Sequence, residues 1–168
     1  MLRSVMVSSL LSVLCVYAQG TWLRAVEVLS VVPDLALVVL VYTSFRNTGP
    51  EGQLAGFLSG IAQDALSAAP LGLNALVRTL VGFTYALASG KVFADRILLP
   101  VVLAASATLF KALSISVIAL LFPVHVVPYD FLSSALWVEI AYNAVAAPFV
   151  FLVLGLFGPL LVTPRRAY

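Results

Sequence analysis

Long apolar runs separated by a few short polar connections make up nearly all of this chain. A helix needs about 20 mostly apolar residues to cross the roughly 30 Å hydrocarbon core of a bilayer. Six runs predict such helices: Ser4–Trp22, Val26–Phe45, Gln53–Ala68, Leu71–Ser89, Ile97–Phe122 and Phe131–Phe157. The third run is short and is followed by the tight Ala68-Ala69-Pro70 turn, so the third and fourth helices are expected to form a coupled hairpin. The alternating short strands of a membrane barrel are absent from the pattern. The expected architecture is an all-α integral membrane protein, a single six-helix transmembrane domain over residues 1–168 with short loops.

Composition agrees. The chain is 62% hydrophobic and only 10% charged, with mean hydropathy +1.12, too little charge to cover a soluble domain of this size. Basic residues are scattered and form no patch interleaved with aromatics, so nucleic acid is not an expected partner. Cys15 is the single cysteine and cannot form an internal disulfide. His125 has no second His or Cys near it in sequence, and neither a metal nor another cofactor is expected. Arg3, an apolar stretch and Val16-Tyr17-Ala18 imitate a signal peptide, but with five later runs the segment reads as a retained first helix.

The loop bases set an orientation. With the N-terminus cytoplasmic, Arg3, Arg46, Lys91, Arg96, Arg165 and Arg166 fall inside and Arg24 alone outside. Both termini are therefore expected in the cytoplasm. Arg165 and Arg166 suit anionic lipid headgroups.

Five charged residues fall within the predicted spans: Asp34, Asp64, Arg78, Lys111 and Glu139. Each costs about 2.5–3.5 kcal/mol on insertion scales, and such groups normally face a bundle interior or a wet cavity. With the orientation above, all five lie between the midplane and the outer face. Asp64 and Arg78 flank the turn at Pro70, each roughly 10 Å below it at 1.5 Å per residue, so an Asp64–Arg78 pair is expected. Small and polar residues extend these positions into stripes: Gly56, Gly60 and Asp64; Asn74, Arg78 and Gly82; Ala107, Lys111 and Ser114; Glu139 and Asn143. Pro148 is expected to kink the last helix and free a carbonyl, and Pro33 beside Asp34 to act alike. Three readings stay open for the cluster: internal glue, an outward-facing polar cavity that holds a ligand, or a proton or ion relay. No nucleophile–base pair or phosphate loop is present. Asp34 and Asp64 could imitate an intramembrane aspartyl protease, but Pro33-Asp34-Leu35 and Gln63-Asp64-Ala65 are weak motifs for one. The chain is not expected to be an enzyme.

Three blocks carry a family resemblance. ProAspLeuAlaLeuValValLeuValTyr (33–42), GlyPheLeuSerGlyIleAlaGlnAspAlaLeu (56–66) with ProLeuGlyLeuAsnAlaLeu (70–76), and TyrAsnAlaValAlaAlaPro (142–148) resemble the rod-shape-determining MreD family, in the right order along a chain of the right length. That resemblance implies a non-enzymatic scaffold or regulatory subunit of the cell-wall elongation (peptidoglycan) machinery in the bacterial inner membrane. It would partner a bitopic MreC-type protein and work alongside the MreB filament and the wall polymerase–transpeptidase pair. A homodimer stays open. The family is similar in fold to the S-components of energy-coupling-factor vitamin transporters, so a substrate-binding transport subunit is the alternative. The first helix, however, lacks the AlaxxxAla pair such components use for docking. Trp22, Tyr42, Phe57, Tyr85, Trp137 and Tyr142 are candidates for interfacial anchoring, packing or partner contact.

Overall fold

The computed structural model describes residues 2–22, 27–28, 31–47, 49–89, 97–124 and 126–162. Seven helices follow in order: α1 (Leu2–Thr21), α2 (Leu35–Arg46), α3 (Glu51–Leu66), α4 (Leu73–Ala88), α5 (Leu98–Leu121), α6 (Ser134–Leu156) and the single turn α7 (Gly158–Leu161). No strand occurs among the described residues; Val28 and Val31 form one isolated bridge. Arg24, Lys91, Arg96, His125, Arg165 and Arg166 lie outside the described residues.

The outer surface of the bundle is apolar, unlike that of a soluble protein. On α1, Ser4, Ser8 and Ser12 face inward at four-residue spacing, while Leu2, Met6, Leu10 and Leu14 face outward. On α6, Glu139 and Asn143 are buried, while Val145, Phe149, Leu152 and Leu156 are exposed. A soluble chain could not leave so much apolar surface in water. Helices α1, α5 and α6 are long and apolar enough to cross a membrane, and α2 and α4 are shorter apolar helices. The chain is a helical membrane protein.

Helix α2 is the hub. Ala36 through Phe45 are all buried, and α2 packs against each of α1, α3, α4, α5 and α6. A helix apolar on every side belongs in the middle of a bundle. Around it, α3 packs on α1 and α4, and α5 on α4 and α6. The ring closes where Val7, Leu11 and Cys15 of α1 and Val150 of α6 pack with Val39, Tyr42, Leu154 and Leu161. Tyr42 also meets Phe151 edge-on, with centroids 5.0 Å apart.

The second predicted helix needs the largest correction. It begins at Leu35, not Val26. Pro33 lacks an N–H and disfavours helical backbone at the residue before it, and Asp34 caps the helix by accepting the Leu37 amide at 3.0 Å. Asp34 therefore stands at the head of α2 rather than within it. The third helix starts two residues early, at Glu51, and ends at Leu66; the sixth starts three residues late, at Ser134, behind a Ser133 cap. Helix α6 runs unbroken through Pro148.

The α3–α4 hairpin is packed backbone to backbone. A Cβ on Gly56 would stand 2.5 Å from the Arg78 carbonyl oxygen, and one on Gly82 2.6 Å from that of Gly52. A Cβ on Gly60 would fall on the Ala75 Cα. These glycines let two helices approach closer than any side chain permits. Gly72 turns the chain into α4 with φ of 95°, a left-handed conformation suited to glycine.

Candidate functional site

Asp34 is the centre of a buried ionic ladder at the end of the bundle that carries the α3–α4 turn. Its Oδ1 accepts from the Arg78 guanidinium at 2.8 Å, from Gln19 Nε2 at 3.2 Å and from the Leu37 amide. Its Oδ2 accepts from Lys111 Nζ at 2.9 Å. Lys111 in turn pairs with Glu139 Oε1. Arg78 is 1% exposed, Asp34 4%, and Lys111 and Glu139 8% each. Two cations and two anions thus neutralise one another away from solvent, the condition under which buried charge is tolerated. The ladder ties α2, α4, α5 and α6 together.

Neutral groups finish the arrangement. Asn143 on α6 accepts the Asp34 backbone amide at 2.7 Å and donates to Thr108 on α5 at 2.9 Å. Gln19 also donates to the Pro33 carbonyl at 3.0 Å, so the extended lead into α2 is satisfied by a side chain of α1. Arg78 reaches toward Ser59 on α3 at 3.5 Å, while its Nε has no hydrogen-bond partner among the described residues.

Asp64 does something different, and the expected Asp64–Arg78 pair does not form. Its carboxylate accepts the backbone amides of Gly72 at 2.9 Å, Asn74 at 3.0 Å and Ala75 at 3.2 Å, and the Asn74 side chain at 2.8 Å. The first amides of a helix lack internal partners and carry partial positive charge. Asp64 supplies both an acceptor and a counter-charge for α4 from the end of α3. Gly72, at the cap position, has no side chain to do so.

The described loop residues between α5 and α6 close over the ladder. Val126 is buried with Val77, Ile115 and Ala119. Tyr129 donates its amide to Ser116 at 3.2 Å and its hydroxyl to Glu139 Oε2 at 3.2 Å. Burial pushes the Tyr129 phenol above its ordinary pKa, and nearby Lys111 pulls it back in part, so the hydroxyl stays protonated and donates at neutral pH. A cavity of about 320 Å³ opens beside it, lined by Val31, Tyr129, Asp130, Ser133, Leu136 and Glu139 among others.

The sequence-predicted residues therefore fall into two groups and a seam. Asp34, Arg78, Lys111, Glu139 and Asn143 meet in one network; Asp64 and Asn74 form the α4 cap; Gly56, Gly60 and Gly82 line the hairpin contact. Pro148 follows Ala147, which packs with Val38 and Ala104. Sequence reasoning missed Gln19, Tyr129 and the serine face of α1. The serines were signalled by their four-residue spacing; Gln19 and Tyr129, at the ends of apolar runs, carried no distinguishing mark. Among the described residues no group of three or more His, Cys, Asp or Glu is placed to hold a metal ion.

A family model described as rod shape-determining protein MreD matches residues 1–158. No curated protein and no solved structure matches the chain.

Proposed function

The chain belongs to the MreD family of rod shape-determining proteins, and from that premise we propose a non-enzymatic subunit that acts by binding other membrane proteins. The family match carries this reading: it covers nearly the whole chain and places the protein in the machinery that determines rod shape. We propose one six-helix domain in the bacterial inner membrane with both termini cytoplasmic, and an MreC-type bitopic protein as the direct partner. The MreB filament and the wall polymerase–transpeptidase pair are proposed as further neighbours in the elongation machinery. The transport alternative draws no support from the family match.

In this reading the ionic ladder is internal glue. Its four charges balance, and it links the hub helix to three of the helices around it. The outward surfaces of α1, α5 and α6 are left for lipid and for partner helices.

The test is a gentle-detergent pull-down of the tagged protein at native level, with partners identified by mass spectrometry. Enrichment of an MreC-type protein and wall-elongation enzymes is the expected result. Enrichment of paired ATPases with a transporter membrane subunit would overturn the proposal.

A further inference from the structure

The cavity at the end of the ladder has a chemical bias that the glue reading does not use. Its described walls are largely apolar: Val31, Val127, Pro128, Ala135 and Leu136. Its charged lining groups are both acids, Asp130 and Glu139. Asp130 is exposed, and its Oδ1 accepts the Leu132 amide at 2.9 Å. Glu139 is buried, with Oε1 on Lys111 and Oε2 on the Tyr129 hydroxyl. A carboxylate has about four lone-pair sites, so both acids keep acceptor capacity. Inside the ladder, Arg78 and Lys111 are already matched by Asp34 and Glu139. Among the described residues Asp130 has no ion-pair partner, which leaves the described lining net negative. Apolar walls lower the local dielectric and strengthen attraction for a cation. The volume lies at the small end for ligand pockets and suits one short group, not a drug-sized molecule.

We propose that this cavity binds a single primary ammonium or guanidinium group on a short apolar stem, held by Asp130, Glu139 and the Tyr129 hydroxyl. The stem lies against Val127 and Leu136. Because Glu139 also holds Lys111, occupancy is transmitted to Asp34 at the head of the hub helix. The same chemistry can arrive as a free amine or as a lysine or arginine side chain of a neighbouring protein. The proposal goes beyond the scaffold reading and does not depend on it.

The experiment uses the full chain in lipid nanodiscs with Trp22→Phe as background, so that Trp137, one residue from Leu136 and two from Glu139, reports. The probe is n-butylammonium chloride, with n-butanol and sodium chloride as controls. A saturable change in emission with butylammonium alone is expected. Asp130→Asn, outside the ladder, should weaken it by about tenfold, the order of one lost charge-assisted contact, and Ala135→Phe, which fills the cavity without removing a charge, should abolish it. No saturable response, or one that both variants leave unchanged, overturns the proposal. A second arm separates the sources once the first succeeds. A photo-crosslinking residue in place of Val127 in cells should capture a peptide bearing Lys or Arg if the group belongs to a protein. A retained amine in native mass spectra, without such a crosslink, assigns it to a free molecule. The absence of both a crosslinked peptide and a retained amine overturns the cavity's role as a ligand site.

Discussion

At the residue scale, one aspartate carries more of the structure than its position in the sequence suggests. Asp34 caps α2, accepts from two cations and a glutamine, and gives its own amide to Asn143. Removing one member of a buried charge pair leaves the other unpaired and typically costs about 3–5 kcal/mol. Asp34→Ala should fall in that range, measured as denaturation in mixed micelles. A double-mutant cycle of Asp34→Ala with Arg78→Leu should give coupling above about 1 kcal/mol. The matching cycle of Asp64→Ala with Arg78→Leu should stay near the roughly 0.5 kcal/mol limit of additivity. Strong coupling in the second cycle and none in the first would mean that the ladder is wired otherwise. That the four ladder charges are buried was legible in the sequence, because Asp34, Arg78, Lys111 and Glu139 interrupt apolar runs; buried Glu51, which falls in a predicted connection, was not. Their pairing was not. It depends on which helices become neighbours and on where α2 begins, and matching Asp64 to Arg78 by depth alone ignored the amides at the start of α4, which are the nearer claim on that carboxylate.

At the element scale, the hairpin of α3 and α4 shows how small residues set a distance. Gly60 has no room for a methyl group, because the added atom would land on the Ala75 Cα. Overpacking of this kind costs typically about 1–3 kcal/mol and moves backbone. Gly155 in α6 has nothing within 4 Å of an added Cβ, so the higher helix propensity of alanine, up to about 1 kcal/mol, should be all that is felt there. Gly60→Ala should therefore lower the apparent melting temperature of the detergent-solubilised protein, and Gly155→Ala should leave it unchanged or raise it. Equal effects at both sites would remove the close-approach argument. The four-residue spacing of Gly56 and Gly60 made this seam readable from sequence, as did Ala68-Ala69-Pro70 for the turn. The start of α2 was misread for an opposite reason: an apolar count treats Val31, Val32 and Pro33 as more helix, whereas Pro33 followed by Asp34 is a helix-start signal that hydropathy does not weigh.

At the scale of the whole molecule, the short hub helix raises a problem that its surroundings answer. Twelve residues of α2 span only about 18 Å, well short of the roughly 30 Å core of a bilayer. Extended backbone rises about 3.3 Å per residue, so the non-helical residues 31–33 can add up to about 10 Å and bring the segment close to the required length. Non-helical backbone at membrane depth is tolerated where protein buries it and satisfies its polar groups. Pro33 is buried, its carbonyl is held by Gln19, and Val28 and Val31 bond each other. The ladder and the non-helical lead thus meet at the head of α2, and together they would let it cross with a helix too short to do so alone. If α2 crosses in this way, a topology reporter after Gly49 and one at the C-terminus should report the cytoplasm, and reporters after Ala69 and Val127 the opposite side. Should α2 turn back instead, all four reporters would change sides while a reporter at the N-terminus stayed in the cytoplasm. The N-terminal reporter would separate an error in the hub from an error in the overall orientation, because a reversed orientation moves it together with the other four.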